Sequence, residues 1–150
     1  NNKSVNIIIN QKAISDKSDN VDFIRVLGNT TGSHLAGAKE DPYGELETFS
    51  VETADINAVL LNNDFVKMDI EGQEATAILS TKKDTWTNVE MILEVGTEKN
   101  AEIIFEYLNE INVNMFSQKT GWNKVSNLAD VPTSYKEGSL FLSVADEMSW

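Results

Sequence analysis

The segment FVKMDIEGQEATAIL at residues 65–79 decides the fold prediction. Its first six residues form a nearly continuous apolar run that ends in acidic residues, a pattern typical of a strand buried in a sheet. From residue 74 to about residue 82 the sequence favours a helix, with Ala75, Ile78 and Leu79 on one face. The segment therefore predicts a strand in the sheet interior that leads directly into a helix.

A second strand and helix follow along the chain. Residues 91–95, MILEV, predict another apolar strand, and apolar residues then recur at helical spacing from 101 to 111, with Thr97 as the predicted N-cap. A strand, a helix and a second strand form a βαβ unit, in which the two strands run parallel. We therefore expect an α/β protein in which strand 65–70 pairs in parallel with strand 91–95.

Five other segments have the patterns of strands. Residues 5–9 form a β-branched run that is expected to be buried. Residues 21–27 and 46–53 alternate between apolar and polar side chains and are expected to pair antiparallel. The last two segments, residues 113–118 and 139–144, lie near the end of the chain. The small and polar stretch 32–44 predicts a loop that holds the single histidine, His34, as an exposed, non-catalytic side chain.

Length and composition exclude several classes of function. A chain of 150 residues predicts one domain, and 12 basic against 24 acidic residues leave a net charge of −12, which opposes binding to nucleic acid and to anionic membranes. The absence of cysteine excludes thiolate metal sites, and one histidine excludes a multi-histidine site. No apolar run approaches the ~20 residues of a membrane helix, and no signal-peptide core is present, so we expect a cytoplasmic protein.

Three acidic residues follow or end the two apolar strands, namely Asp69, Glu71 and Glu94. In open α/β sheets ligands bind beyond the carboxyl ends of the strands, so these residues are candidate site residues. In a second interpretation, Glu71 and Glu74 only cap a helix after a turn at Gly72. In a third, the three carboxylates are hard oxygen ligands for magnesium or calcium. We expect no metal site.

Residues 66–74, VKMDIEGQE, with the aliphatic pair at 78–79, resemble the central signature of the FkbM family of S-adenosylmethionine-dependent methyltransferases. Four further segments resemble family segments in the family's order: 13–17 (AISDK) followed by 21–23 (VDF), 50–60 (with TAD at 53–55 and Ala54 in place of the usual leucine), 92–95 (ILEV) and 139–142 (SLFL). Order and spacing match over most of the 150 residues.

The resemblance implies a Rossmann-like methyltransferase sheet, mostly parallel with an antiparallel C-terminal hairpin. Two family motifs are missing from the sequence: the Gly-rich loop after the first strand and the acidic residue that holds the cofactor ribose. We therefore expect residues 1–150 to form a single, partial domain that is truncated at its N-terminus.

The implied activity is methyl transfer from S-adenosylmethionine to a hydroxyl of a sugar or another small metabolite. Asp69 and Glu71 are then the expected catalytic residues on the acceptor side, where a carboxylate takes the hydroxyl proton. By family position, Ser15 and Asp16 are expected at the adenine end of the cofactor, and Glu94 in the substrate pocket. Without the two missing motifs, we expect this chain alone to bind the cofactor weakly or not at all.

A different class of function stays open at this point, a non-catalytic remnant that acts as a self-associating or binding domain. In the implied strand order, one flank of strand 65–70 has no partner within this chain unless segment 5–9 moves into the gap. An unpaired strand edge invites pairing with another chain. We therefore expect either a homodimer through this sheet edge or a gap filled by the N-terminal strand.

Overall fold

Nine strands and three α-helices build the described residues of the computed structural model, which are 6–28, 33–37, 44–70 and 72–150. The strands are β1 (Ala13–Ser15), β2 (Asn20–Val26), β3 (His34–Leu35), β4 (Leu46–Asp55), β5 (Phe65–Met68), β6 (Glu90–Glu94), β7 (Asn114–Ser117), β8 (Asn123–Lys124) and β9 (Ser139–Ser143). The helices are α1 (Ile56–Leu61), α2 (Glu74–Leu79) and α3 (Glu98–Glu110).

The first sheet has the strand order β1-β4-β2-β3. Strands β2 and β4 pair antiparallel over seven residue positions, from Asn20 opposite Glu52 to Val26 opposite Leu46. This confirms the antiparallel pairing predicted from the two alternating segments. Strand β1 joins the far end of β4 in parallel, and β3 lies antiparallel to β2 at the other edge.

The second sheet has the order β5-β6-β9-β7-β8. Strands β5 and β6 are parallel, with Met68 opposite Leu93, which confirms the βαβ prediction. Strand β9 lies antiparallel between β6 and β7, so the two predicted C-terminal strands are neighbours. The expected interior position of strand 65–70 is wrong, because β5 is an edge strand and only β6 pairs with it among the described residues.

Buried side chains of the three helices form one apolar core with buried strand residues of the second sheet. Helix α3 begins at the predicted N-cap, where the Thr97 hydroxyl accepts a hydrogen bond from the Asn100 backbone N–H at 3.1 Å. Its buried side chains Ala101, Ile104 and Leu108 belong to the same apolar cluster as strand residues of the second sheet. Within the described ranges, no helix combines the length and the apolar character needed to cross a membrane.

The fold prediction needs one correction and is otherwise of the right class. The protein is mixed α/β, but a single, mostly parallel Rossmann-like sheet is not confirmed. Among the described residues the strands divide into two sheets, and two of the seven strand pairs are parallel. The sheet is not mostly parallel for two reasons. The antiparallel β2–β4 pair belongs to a separate sheet, and β9 runs antiparallel to both of its neighbours, β6 and β7.

The strand predicted at 5–9 is also wrong for the residues that the structure describes. Residues 6–10 form no strand, and Ile7, Ile8 and Ile9 are each at least 76% exposed; residue 5 lies outside the described residues. A β-branched run favours a strand only where a neighbouring strand supplies hydrogen bonds and packing. No such neighbour lies beside this segment in the described part of the chain.

Candidate functional site

Asp69 and Glu94 lie at the same end of two neighbouring parallel strands. Each follows a residue of the Met68–Leu93 pair, so the register brings them to the carboxyl ends of β5 and β6 together. The Asp69 carboxylate is partly exposed, and its Oδ2 accepts a hydrogen bond from Lys67 Nζ at 3.3 Å. The predicted location of both residues is therefore correct, whereas their roles stay predictions.

Glu71, the second expected catalytic residue, lies outside the described residues. The alternative metal set of Asp69, Glu71 and Glu94 contains it, so the structure describes only two members of that set. In the ranges that the structure describes, no group of three or more His, Cys, Asp or Glu is placed to hold a metal ion.

Glu74 holds the turn that carries Asp69. Its side chain is 97% buried, and its two carboxylate oxygens accept backbone hydrogen bonds from Ile70 at 3.1 Å and from Gly72 at 3.0 and 3.1 Å. Gly72 has a φ of 102°, a conformation that glycine adopts without strain. The side chain thus fixes the β5–α2 turn itself, a stronger role than the charge at a helix N-terminus that the sequence indicated.

A cavity of about 240 Å³ lies between this turn and the first sheet. Asp69 and Gln73 line it from the turn, and Lys12, Phe23 and His34 line it from the first sheet and its approach. The cavity therefore places a predicted acceptor-side residue, Asp69, opposite side chains that come from an earlier part of the chain.

His34 was expected as an exposed loop residue, and the structure shows this to be wrong. The side chain is 99% buried, because residues 34–35 add to β2 as the short strand β3, with His34 opposite Ile24. The backbone N–H of Ala36 extends this contact by donating to the Asp22 carbonyl at 2.9 Å. A two-residue strand has no periodicity of its own, so nothing in the sequence pattern could have placed this histidine in a cavity wall.

Ser15 and Asp16 lie at the end of β1, beside the cavity but outside its wall, which includes Ile14. The Ser15 hydroxyl donates to Asp16 Oδ1 at 3.0 Å, and the Asp16 side chain is exposed. Such accessible oxygens fit the amino group or ribose hydroxyls of a nucleoside cofactor. The cavity beside them, at about 240 Å³, is smaller than the ~300–1,000 Å³ of most ligand pockets, so it has room for part of such a cofactor and not for the whole of it.

The family model described as Methyltransferase FkbM domain matches residues 1–121. No curated protein and no solved structure matches the chain. The matched range runs from the N-terminus past strand β7 and contains the cavity-lining residues together with Glu74 and Glu94.

Proposed function

This chain belongs to the FkbM methyltransferase family, and on that premise we propose that it transfers a methyl group from S-adenosylmethionine to a hydroxyl oxygen of a sugar or another small metabolite. The family match over residues 1–121 is the observation that carries the proposal. The common location of Asp69 and Glu94 at the carboxyl ends of parallel strands supports it, since ligands bind there in α/β sheets.

The described site residues have separate roles in this proposal. S-adenosylmethionine, when bound, supplies an electrophilic methyl group on a sulfonium. Ser15 and Asp16 hold its adenine end through their accessible oxygens. Asp69 accepts a hydrogen bond from the acceptor hydroxyl while Lys67 occupies its Oδ2, and Glu94 binds a second hydroxyl of the acceptor. Positioning of the two reactants supplies much of the rate in such a displacement.

A labelled methyl group tests the activity. The full chain is incubated with S-adenosylmethionine labelled in its methyl carbon and with neutral monosaccharides, and the label in the product is measured before and after alkali. An O-methyl ether survives alkali, whereas a methyl ester does not. Alkali-stable label supports the proposal, and label that is absent or lost in alkali contradicts it.

Asp69→Asn is the matching variant. We expect it to lower methyl transfer about a hundredfold or more, because an amide is a far weaker proton and hydrogen-bond acceptor than a carboxylate. Asp64→Asn is the control, since Asp64 is exposed and precedes the opposite end of the same strand. Equal methyl transfer by the two variants would show that Asp69 takes no part in the reaction.

Cofactor affinity is a separate expectation. We expect calorimetric titration of this chain with S-adenosylmethionine to give a dissociation constant weaker than about 10 µM, roughly −7 kcal/mol, because the sequence lacks the Gly-rich loop and the ribose carboxylate of the family. The transfer assay is therefore run at higher cofactor concentrations. Tighter binding would mean that Ser15, Asp16 and their neighbours recognise the cofactor without those motifs.

A non-catalytic, self-associating domain is the second candidate function. The observation that favours it is the unpaired outer edge of β5 among the described residues, together with the exposed apolar segment Ile7–Ile9. Absence of methyl transfer combined with concentration-dependent association supports this candidate over the first.

A further inference from the structure

The C-terminal segment, residues 144–150, packs on the face of the second sheet that lies opposite the apolar core. Leu140 and Leu142 of β9 belong to that core, so Phe141 between them projects from the other face. The indole of Trp150 lies against the Phe141 ring, with 4.6 Å between the ring centroids and an interplanar angle of 76°. The segment therefore places a tryptophan on this second face of the sheet.

Polar contacts hold the segment, yet its tryptophan stays accessible. Lys124 Nζ pairs with Asp146 at 2.9 Å, and the Ser149 hydroxyl donates to Glu90 Oε2 at 2.8 Å. Trp150 nevertheless remains 63% exposed. A tryptophan that is fixed in position and still exposed offers a large aromatic surface to a binding partner.

An open pocket of about 400 Å³ lies between this segment and the β7–β8 hairpin, within the ~300–1,000 Å³ of most ligand pockets. Trp122 and Trp150 line it, with ring centroids 6.4 Å apart and planes at 77°, so that the two indoles meet as the walls of a corner. Phe116 and Met148 add apolar wall. The pocket shares no described lining residue with the cavity beside Asp69.

The backbone at Trp122 has a conformation that is unfavourable for a bulky residue. Its φ is 65°, in the left-handed region, and it follows Gly121, whose φ is 72°. The Trp122 N–H holds the turn by donating to the Ser117 carbonyl at 2.7 Å. Such strained positions cluster at ligand sites. Glycine would adopt this conformation without strain, so the tryptophan is there for its side chain and not for the turn.

The charges of the pocket favour a cation. Lys124 and Asp146 neutralise each other as an ion pair, which leaves the wall with the negative charge of Glu147. Indole faces attract cations. In the part of the chain that the structure describes, side-chain cations lie over the rings of Phe49 and Tyr135, so none occupies the two indoles of the pocket. The net charge of −12 attracts further cations to the protein.

We infer that this pocket binds a small free molecule that carries a quaternary ammonium group, with Trp122 and Trp150 as aromatic walls and Glu147 as the opposite charge. Methylated ammonium groups contact aromatic faces closely, which is the general mode of their recognition. A primary ammonium is strongly hydrated, and the apolar wall offers little to replace its water. The pocket is separate from the proposed methyl transfer site, and the inference does not depend on that function.

The three tryptophans make the binding visible residue by residue. In the full chain labelled with ¹⁵N-tryptophan, the indole N–H signals are followed by NMR during titration with choline chloride at constant ionic strength. Trp86 is fully buried, with its indole N–H donating to Thr81 Oγ1 at 3.0 Å, and serves as the internal reference. We expect saturable shifts of the Trp122 and Trp150 signals and none of the Trp86 signal. Absence of a saturable shift overturns the inference.

A neutral isostere tests the charge of the ligand. In 3,3-dimethyl-1-butanol a carbon atom replaces the nitrogen of choline, so the shape is kept and the charge is lost. We expect it to bind at least about tenfold more weakly than choline. Equal binding of the two probes overturns the assignment to a cation. Co-sedimentation of the chain with phosphatidylcholine vesicles, which carry the same head group, overturns the assignment to a free molecule.

Two pairs of variants locate choline in the pocket. Trp150→Leu is expected to weaken binding at least about tenfold, whereas Tyr135→Leu, at an exposed aromatic residue outside the pocket, keeps it. Glu147→Gln is expected to weaken binding about two- to fivefold. Glu106→Gln on α3 changes the net charge of the chain by the same amount and leaves binding unchanged. Equal affinities within either pair overturn the placement of the ligand.

Trp122→Gly removes the second indole at a position where the backbone conformation suits glycine. We therefore expect this variant to keep the circular dichroism spectrum of the unaltered chain and to lose choline binding at least about tenfold. Unchanged affinity in the folded variant overturns the role of Trp122. If the variant does not fold, the comparison of choline with its neutral isostere on the unaltered chain still decides the inference.

Discussion

At the scale of single residues, Glu74 joins the stability of the fold to the geometry of the site. Its buried carboxylate is satisfied by backbone N–H groups of the turn between β5 and α2. Asn100 at the start of α3 adds a longer contact, with Nδ2 3.5 Å from Glu74 Oε2. A buried carboxylate needs such donors. If the turn that carries Asp69 rearranged, the Glu74 carboxylate would stay buried without its hydrogen bonds, which costs free energy.

Glu74→Gln is expected to destabilise the protein by about 1–3 kcal/mol. The amide that replaces one carboxylate oxygen is itself a donor, and it would face backbone N–H donors across the turn. Urea unfolding measures the loss, with Glu98→Gln as the control because Glu98 is an exposed acidic residue at the start of α3. Similar free energies of unfolding for the two variants would contradict the role assigned to the buried carboxylate.

Individual site residues were predictable to different degrees. The common location of Asp69 and Glu94 followed from two apolar runs and one helical pattern, because parallel pairing places both strand ends at the same sheet edge. His34 could not be placed, because its burial depends on a two-residue strand that forms only against β2. The turn-holding role of Glu74 depends on which backbone groups face its side chain, and no sequence period encodes that.

At the scale of elements, caps and long periodic segments follow the sequence closely. Helix α3 has both a regular apolar spacing and an N-cap threonine, and it forms as predicted. Short elements without a repeating pattern, such as β1, β3 and β8, depend on a neighbouring strand for their existence. Residues 6–9 show the converse, since their strand-like composition has no neighbour to pair with in the described part of the chain.

Thr97→Ala tests the cap of α3. Loss of the hydroxyl that accepts from the Asn100 N–H is expected to cost about 1 kcal/mol of unfolding free energy. Thr97→Ser retains the hydroxyl and serves as the control. Urea denaturation midpoints that are equal for the two variants would show that the cap contributes nothing to stability.

The short 3₁₀ turn at Leu128–Asp130 carries a pH-dependent contact. Hydrogen bonds from the backbone N–H and the hydroxyl of Ser126 lower the pKa of Asp130. A carboxylate whose folded pKa is lowered stabilises the fold above its unfolded pKa, and this contribution is lost as the pH falls through the folded pKa. We therefore expect the stability difference between the unaltered chain and Asp130→Asn, measured by urea unfolding, to shrink from neutral pH toward acid. A difference that is constant with pH would contradict this.

At the scale of the whole molecule, strand pairing could be predicted only between strands whose connection along the chain determines how they pair. The βαβ pattern determines that β5 and β6 are parallel, but no local pattern states which strands share a sheet. The insertion of β9 between β6 and β7 and the separate β2–β4 sheet arise from long-range pairing. Family resemblance implied one sheet, and the structure divides the strands between two.

Self-association tests the unpaired edge of β5. Two outcomes were expected for this edge, pairing with the N-terminal segment of the same chain or pairing with a second copy. Segment 6–9 does not pair with the edge, so association with a second copy is the outcome that is left to test. We expect a dimer in sedimentation that tightens between low and moderate salt, because screening reduces the repulsion between copies that each carry a net charge of −12. Ile8→Lys adds a charge at an exposed apolar position and is compared with the unaltered chain. A weaker dimer of this variant would show that segment 6–9 takes part in the contact between the two copies. A monomer at every salt and protein concentration would contradict the prediction.

The uneven distribution of buried side chains has a consequence for how the molecule opens. Among the described residues, the first sheet contributes Val26 and Leu35 to the buried apolar residues, while the helices and the second sheet supply the large cluster. Regions with few buried contacts open in separate local unfolding events at a lower free energy than the global transition. Amide hydrogen exchange should therefore be faster in β2 and β4 than in β6 and β9. The cavity has one wall in the first sheet and the other in the β5–α2 turn. A ligand that fills the cavity would therefore slow amide exchange in the first sheet, and its binding would be seen first as a gain of local order there.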